Sequence, residues 1–268
     1  GLKRTPLFSD LSIDELMGVI CKLNVCFVDM GDYVFRRGDE GQSIFVITSG
    51  AAEVISYTKY GEEVKYATLT DGDFFGEHEY FSGTTRSTEV RAVTDLELFK
   101  IKRNEMAALT ARNPYMAKVL YDFYKERVLD KAMALSKVFK HMSIKDRREM
   151  LETVQVESYP PGTDIVKFND KGENMFLIVS GTADVWRLGD GGEKITLSSL
   201  QENDYFGEVA MMLDRARTSN VTAVTTVDAI LIGREHLDGV LSRYPIIKKV
   251  LEDVAMKHVK ENEAPAPQ

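Results

Sequence analysis

The feature that most constrains the fold of this chain is an internal repeat that covers most of its length. When the 268-residue sequence is shifted against itself so that Gly31 falls on Gly162, residues 7–114 match residues 138–245 without a gap. This alignment, called the repeat register below, also pairs Gly50 with Gly181, Gly76 with Gly207, Glu77 with Glu208, Arg86 with Arg217, Arg103 with Arg234 and Pro114 with Pro245. A repeat of this length indicates duplication of a whole folding unit. We therefore predict two homologous domains, at 1–130 and 131–260, and a disordered tail at 261–268.

Each copy has the pattern of an antiparallel β structure. Short β-rich runs in the first copy predict strands at 27–35, 43–48, 52–56, 65–69, 88–92 and 96–100. Glycine-containing turn signals recur along this region, as at Gly31, Gly50 and Gly72. Many short strands with regular turns favour a sandwich or a jelly-roll barrel over a parallel α/β sheet.

Helical patterns flank the β-rich runs. A short helix is predicted at 13–23, with Ser12 as its candidate N-cap. After Pro114, apolar residues recur at three- and four-residue spacing, which predicts an amphipathic helix at 115–137. A shorter helix is predicted at 246–259.

Charge and cysteine content exclude several classes of protein. The 42 acidic and 34 basic residues give a formal charge of −8, which argues against binding of nucleic acid or anionic membrane by bulk electrostatics. No apolar stretch approaches the length that spans a bilayer. The two cysteines, Cys21 and Cys26, are too few for a disulfide framework, so we expect a reducing, cytoplasmic location. We interpret both cysteines as core residues.

The most specific motif in each copy is Phe-Gly-Glu with an arginine nine residues after the glutamate. It comprises Gly76, Glu77 and Arg86 in the first copy, and Gly207, Glu208 and Arg217 in the second. Glycine lets the backbone approach a ligand closely, and a helical turn after it presents free N–H groups to an anion. An arginine can bind the same anion through a forked, charge-assisted contact. The glutamate suits a hydroxyl donor such as a ribose 2′-OH, since it would repel a phosphate.

This motif resembles the phosphate-binding cassette of cyclic nucleotide-binding domains. The upstream glycines and aromatics agree with the resemblance, at Gly31, Gly38, Gly41, Phe45 and Gly50 and at Gly162, Gly172, Phe176 and Gly181. The tandem arrangement is similar to that of regulatory subunits of cAMP-dependent protein kinase and of bacterial tandem-domain relatives. The resemblance implies a mainly β fold with flanking helices (α+β), built as two tandem jelly-roll barrels joined by a long helix.

The resemblance also implies roles for individual residues. Glu77 and Glu208 would accept the ribose 2′-OH, and Arg86 and Arg217 would bind the cyclic phosphate. Backbone N–H groups at 76–79 and 207–210 would add phosphate contacts. The residues after the arginines, Ser87 in the first copy and Thr218 with Ser219 in the second, offer further hydroxyl groups. The resemblance implies cAMP as the ligand, because cAMP is the more frequent ligand in the family. A threonine at the place of Thr218 serves guanine recognition in some channel-type domains, so cGMP is the alternative.

The two copies differ where the backbone should meet the phosphate. The second copy has the small apolar residues Val209 and Ala210, whereas the first has His78 and Glu79. A carboxylate about 4 Å from a phosphate costs roughly 1 to 4 kcal/mol. If Glu79 points at the ligand, the first site binds a cyclic nucleotide more weakly or takes another ligand. If Glu79 points outward, the affinity of the first site is not reduced.

For several other residues, the sequence supports only a less specific interpretation. His78 has no histidine or cysteine close to it in sequence, which favours a surface histidine over a metal ligand. Trp186 aligns with Ile55, and we expect it to be a buried or half-buried sheet residue. Residues on the helices after the barrels are candidates for a lid over the nucleotide base: Tyr121, Phe123 and Tyr124 for the first site, and Val254, Met256 and His258 for the second.

These observations predict a nucleotide-responsive regulatory protein rather than an enzyme, because no nucleophile–base pair, metal cluster or Walker loop is present. The helix at 115–137 would relay binding to an effector protein that the sequence does not identify. The family resemblance alone allows a protein kinase catalytic subunit in this role. There are two alternatives. The first is a degenerate tandem that serves as a protein-interaction scaffold, with the same helix as a docking or oligomer surface. The second is a binding site adapted to a nucleoside or another nucleotide. Only one helix and a tail follow the second copy, so we expect no helix-turn-helix domain and no nucleic acid partner.

Overall fold

The computed structural model describes residues 5–20 and 23–263. It divides into two compact units between Val128 and Leu129, referred to below as the first and the second unit. Cys21 lies outside the described residues, and Cys26 is a half-buried free cysteine.

The first unit begins with a 3-10 turn at Pro6–Phe8 and helix α1 at Ile13–Ile20. Its strands are β1 Asn24–Val28, β2 Tyr33–Phe35, β3 Ser43–Ser49, β4 Ala52–Tyr57, β5 Glu63–Leu69, β6 Phe74–Phe75, β7 Glu89–Ala92 and β8 Leu96–Lys102. Its other helices are α2 Glu77–Ser82, α3 Arg103–Arg112 and α4 Pro114–Leu135, the last of which continues past the boundary between the units.

The second unit repeats this order of elements. After a 3-10 turn at Phe139–His141 and helix α5 at Ile144–Leu151, its strands are β9 Gln155–Tyr159, β10 Asp164–Val166, β11 Asn174–Ser180, β12 Ala183–Leu188, β13 Lys194–Leu200, β14 Tyr205–Phe206, β15 Asn220–Ala223 and β16 Val227–Gly233. Its remaining helices are α6 Glu208–Met212, α7 Arg234–Arg243 and α8 Pro245–Glu263.

The strand order is that of a jelly roll in both units. In the first unit, two four-stranded antiparallel sheets have the orders β1-β8-β3-β6 and β2-β7-β4-β5. Adding eight to every label gives the two sheets of the second unit. The pairing repeats as well, since Phe45 pairs with Phe75 and Phe176 pairs with Phe206. The predicted mainly β, tandem jelly-roll fold is confirmed.

Strand β3 shows why the helices pack where they do. Its central residues are apolar on both faces of the strand and buried, as expected for a strand covered on both sides. Ile44 and Val46 pack in one cluster with Met106 of α3 and with Met116 and Leu120 of α4. The helices after the barrel therefore lie on the outer face of this sheet. In the second unit, Phe176 and Ile178 of β11 belong to a core formed mainly by strand residues.

The structure corrects several predicted boundaries. The run at 27–35 is divided by a turn at Gly31, where φ is +91°. The short strands β6 and β14 and the helices α3 and α7 were missed. The predicted helix at 13–23 ends at Ile20 within the described residues. Helix α8 continues to Glu263, into the segment predicted as a tail, and 264–268 lie outside the described residues.

Candidate functional site

In the second unit, residues 207–210 at the turn between β14 and α6, together with the side chain of Arg217, form the group called the cradle below. The turn requires glycine at position 207. Gly207 has φ of +85°, and a Cβ atom at this position would lie 2.7 Å from Nη1 of Arg217. Side chains rarely adopt this backbone conformation, and the arginine leaves no room for one. The N–H groups of the first turn of α6 have no acceptor four residues earlier, so they are available to another partner.

Arg217 is held in this cradle by backbone carbonyl groups. Its Nη1 donates to the oxygen of Gly207 at 2.9 Å, and its Nη2 donates to the oxygen of Asn174 at 2.7 Å. Burial lowers the pKa of the guanidinium, and the negative charges of Glu208 and Asp170 partly offset this. Among the described residues, no carboxylate forms an ion pair with Arg217, so a buried cation faces the cradle without a matching anion.

The predicted residues of the second copy meet at one cavity. Gly207, Glu208, Val209, Ala210, Arg217, Thr218 and Ser219 all line a cavity of about 470 Å³. This volume lies in the range of small-molecule sites. Helix α8 closes one side, where Lys257 and His258 also line the cavity. The carboxylate of Glu208, only 2% exposed, lies 2.6 Å from Nδ1 of His258.

The first unit builds the same cradle around Arg86. Gly76 has φ of +89°, and a Cβ there would lie 2.8 Å from the oxygen of Ser43 and 2.9 Å from Nη1 of Arg86. Nη1 donates to the oxygen of Gly76 at 3.2 Å, and Nη2 donates to that of Ser43 at 2.6 Å. The repeat register pairs Ser43 with Asn174, so both arginines are held by equivalent carbonyls.

The first cradle differs in that it contains its own anion. Glu79 is 2% exposed and its Oε2 accepts from Nη1 of Arg86 at 2.6 Å. Its Oε1 accepts from the backbone N–H of Ser87 at 3.1 Å and from the Ser87 hydroxyl at 3.4 Å. Glu79 therefore points into the cradle. Of the two orientations considered from the sequence, the structure has the one in which Glu79 faces the position expected for the phosphate.

A comparison of two further glycines shows that Glu79 and Ala210 occupy equivalent places. A Cβ on Gly41 would lie 2.4 Å from Cβ of Glu79, and a Cβ on Gly172 would lie 2.2 Å from Cβ of Ala210. The backbone of each unit thus passes equally close to this position. The difference between the cradles follows from the side chain and not from a different path of the main chain.

A comparison with protein families accounts for this duplicated geometry. The family profile described as cyclic nucleotide-binding domain matches residues 26–113 and 156–244, more than half of the chain and once in each unit. This chain belongs to the cyclic nucleotide-binding domain family. Both matched segments contain the glycine, glutamate and arginine of the predicted motif.

Curated relatives match across both cyclic nucleotide-binding domains. The cAMP-dependent protein kinase regulatory subunit of Eremothecium gossypii is 28% identical over 242 residues, which cover 90% of this chain and 49% of that protein. The regulatory subunit of Dictyostelium discoideum is 25% identical over 241 residues, 89% of this chain and 71% of that protein. The chain thus spans about half the length of the first of these relatives.

Two solved structures are also similar to this chain. The regulatory domain of Toxoplasma gondii PKA, crystallised with cAMP, has a TM-score of 0.46 and 21% identity, covering 96% of this chain and 94% of that chain. The regulatory subunit of a cAMP-independent protein kinase A from Trypanosoma cruzi, bound to guanosine, has a TM-score of 0.45 and 21% identity, covering 97% and 88%.

Helix α4 contacts α2 of the first unit and the cradle there through aromatic and charged side chains. The ring of Tyr124 is 4.8 Å from that of Phe81 and 5.7 Å from that of His78, between centroids. Phe123 instead packs on Phe74 at 4.9 Å, in the core below the helix. Of the three predicted lid residues, Tyr121 and Tyr124 are therefore near α2, since Tyr121 also contacts Phe81.

The two glutamates predicted to accept the ribose hydroxyl each have a contact that the sequence analysis missed. Nη1 of Arg127 on α4 lies 3.0 Å from Oε2 of Glu77, and His258 on α8 contacts Glu208 as described above. His258 had been considered only as a lid over the base. The repeat register relates position 127 to position 258, so extending the alignment beyond Pro114 would have identified the pair.

The structure also shows the surroundings of His78 and Trp186. His78 is partly exposed and its Nδ1 lies 3.4 Å from Oε1 of Glu79. No group of three or more potential metal ligands occurs within 5–20 and 23–263. Trp186 is a half-buried residue of β12 whose Nε1 donates to the hydroxyl of Thr222 at 2.7 Å, as expected for a sheet residue. In the part of the chain that the structure describes, no helix is long and apolar enough to cross a membrane.

The Glu79–Arg86 pair should make the first cyclic nucleotide-binding domain sensitive to acid. Burial alone would raise the pKa of Glu79, but contacts with His78, Arg86 and the Ser87 N–H outweigh burial and lower it from 4.5 to about 2. The unfolded chain therefore binds the proton more readily than the folded one. The resulting stabilisation, on the order of 3 kcal/mol, is complete above about pH 5 and is lost as the pH falls towards 2.

This linkage is tested by comparing the free energy of unfolding of wild type and Glu79→Gln in denaturant titrations at pH 7 and pH 3. We expect the wild type to be more stable at pH 7 and the difference to shrink at pH 3, because glutamine has no proton to gain. Contributions from groups that do not interact with Glu79 cancel in this difference. A difference of the same size at both values of pH would contradict the assignment.

Proposed function

We propose that this chain is a regulatory protein that binds a cyclic nucleotide in its second unit. The observation that carries the proposal is Arg217, a buried guanidinium without a carboxylate partner among the described residues, which lines the same cavity as Glu208. A buried charge is costly unless it is paired, and a cyclic phosphate would supply the missing anion. Glu208 would then accept the ribose hydroxyl at the opposite end of the cradle.

We propose cAMP as the ligand. The curated relatives that match both domains are named regulatory subunits of cAMP-dependent protein kinase, which supports this choice. Thr218 lines the cavity and keeps cGMP as the alternative. Residues from the β strands, including Val185 and Leu197, give the cavity apolar walls against which a purine base could pack.

The first unit has a different role in this proposal. Glu79 already gives Arg86 and the Ser87 N–H the negative charge that a phosphate would bring. A cyclic nucleotide would have to displace this buried carboxylate, so the first site should bind it far more weakly than the second. A ligand without a phosphate, such as a nucleoside, would avoid the repulsion, and the position of Glu79 favours it as the second candidate for this site.

The partner proposed for the chain is a protein kinase catalytic subunit, from the names of the curated relatives. Binding would be relayed by the helices that follow the barrels, α4 and α8. A ligand can shift such an equilibrium only by its difference in affinity for the two states. A pull-down of this chain with a catalytic subunit, released by cAMP, addresses the partner separately from binding itself.

Isothermal titration calorimetry with cAMP and cGMP tests the proposed binding. We expect one mole of cyclic nucleotide per mole of chain, with cAMP the tighter ligand, because Glu79 occupies the other cradle. Thermal unfolding provides an independent check, since a ligand at 100 times its dissociation constant should stabilise the protein by roughly 2.7 kcal/mol. Absence of heat and of thermal stabilisation with either nucleotide would favour the scaffold alternative.

A further inference from the structure

The two glutamates assigned to the ribose each contact a basic side chain from the helix after the barrel. Arg127 on α4 binds Glu77, and His258 on α8 binds Glu208. The repeat register pairs the two donors, so the same position has the same role in both units. However, the residue at this position is an arginine in the first unit and a histidine in the second.

In the first unit, the donor keeps its charge at every physiological pH. Nη1 of Arg127 lies 3.0 Å from Oε2 of Glu77, and the guanidinium lies over the rings of Phe74 at 5.2 Å and Phe123 at 5.6 Å. An arginine does not lose its proton in proteins. The contact that attaches α4 to the cradle is therefore an ion pair whatever the pH.

In the second unit, the residue at this position is a histidine, the type of side chain that can gain or lose its charge near neutral pH. Nδ1 of His258 lies 2.6 Å from Oε1 of the buried Glu208, while the imidazole itself is 40% exposed and can exchange protons with solvent. An unperturbed imidazole titrates at about pH 6.5. When protonated it forms a charge-assisted hydrogen bond to the carboxylate, about twice as strong as the neutral one.

We propose that His258 is a positioning residue that makes nucleotide binding by the second unit depend on pH, with affinity rising as the imidazole gains its proton. This inference rests on the proposed function of the second site. The protonated imidazole holds α8 against Glu208 more firmly and so favours the state in which the helix closes the cavity. The contact uses Oε1 of Glu208, which leaves Oε2 to accept from a ribose hydroxyl.

The other groups around His258 determine the direction of this effect. Lys257 on α8 and Arg217 line the same cavity, and both disfavour a further positive charge. Tyr205 of β14 also lines it, and burial together with Glu208 and Asp204 raises its pKa, so that its hydroxyl stays neutral. Glu208 is the one carboxylate among the described lining residues. The single negative charge of a bound cyclic phosphate offsets the positive charge of Arg217, which favours the imidazolium. Binding therefore takes up protons, and by linkage protons strengthen binding.

The test is calorimetry with cAMP between pH 5.5 and 8.0 on wild type, His258→Gln and His258→Arg. We expect wild-type affinity to be about three- to tenfold higher at pH 5.5 than at pH 8.0. His258→Gln should be independent of pH and close to wild type at pH 8.0. His258→Arg copies the first unit and should be independent of pH and close to wild type at pH 5.5. A wild-type slope that persists in both variants would overturn the proposal.

A second measurement separates this inference from the proposed function. If the wild type binds no cyclic nucleotide at any pH, the proposed function fails, and the contact is then judged on the protein without ligand. Hydrogen–deuterium exchange in α8, corrected for the intrinsic effect of pH, should be slower at pH 5.5 than at pH 8.0 in the wild type, with no such difference in His258→Gln. Equal protection of α8 at both values of pH in the wild type would overturn the role of His258.

Discussion

Replacement of Arg217 by alanine is expected to reduce the affinity for cyclic nucleotide by at least about 100-fold, to below detection in ordinary calorimetry. The guanidinium is the cation assigned to the cyclic phosphate, and removing one member of a buried charge pair costs about 2 to 5 kcal/mol. A difference of about 1.4 kcal/mol is a factor of ten in affinity. Isothermal titration with cAMP at matched protein concentration measures the effect.

The control for Arg217→Ala is Arg86→Ala, which removes the equivalent side chain from the cradle that Glu79 occupies. It should leave the affinity of the second site unchanged. Because Arg217 also binds the carbonyls of Gly207 and Asn174, its loss can loosen the fold. Arg217→Lys keeps the charge but loses the forked geometry, and should bind with intermediate affinity in a protein of near-normal thermal stability. Unchanged affinity in both Arg217 variants would refute the assigned phosphate contact.

Replacement of Glu79 by alanine is expected to create a second cyclic nucleotide site in the chain. The substitution leaves Arg86 without its internal anion and gives the first cradle the residue that Ala210 supplies in the second. The molar ratio of cAMP bound per chain should rise from one to two in calorimetry. A gain of binding is more specific than a loss, because general damage to the fold does not produce it.

The matched control for Glu79→Ala is the reverse change in the other unit, Ala210→Glu. It should place a carboxylate against Arg217 and abolish binding there. Glu79→Ala should also lower thermal stability, since an unpaired buried charge costs about 3 to 5 kcal/mol, and saturating cAMP should restore much of it. A molar ratio that stays at one, with the variant folded, would show that Glu79 is not what closes the first site.

The repeat made the topology of both units predictable, whereas the direction of the Glu79 side chain could not be predicted. The gapless alignment of the two copies required both units to share one fold, and the strand orders agree label for label. The sequence raised the question of Glu79, but its answer depends on Arg86, which lies seven residues away and is brought beside it by the fold. No periodicity specifies that contact.

Elements that are short, or that are formed by tertiary contacts, were not predicted because they leave no clear pattern in the sequence. Strands β6 and β14 have two residues each, too few to show an alternating pattern. Helix α3 has one buried residue, Met106, and three of its other apolar residues are alanines, so no strong apolar stripe marks it. The contacts of Arg127 and His258 with the two glutamates were missed because the alignment was taken only to Pro114 and Pro245, although the equivalence continues into the helices.

The place of Trp186 has a practical consequence. It is the single tryptophan of the chain, and its indole lies in β12 of the second unit with Nε1 bonded to Thr222. The adjacent residue, Val185, lines the cavity beside Arg217. Fluorescence excited selectively from tryptophan therefore originates from one of the two barrels alone. The unfolding of the second barrel, and any change in its cavity, can thus be followed optically against a silent first barrel without any added dye.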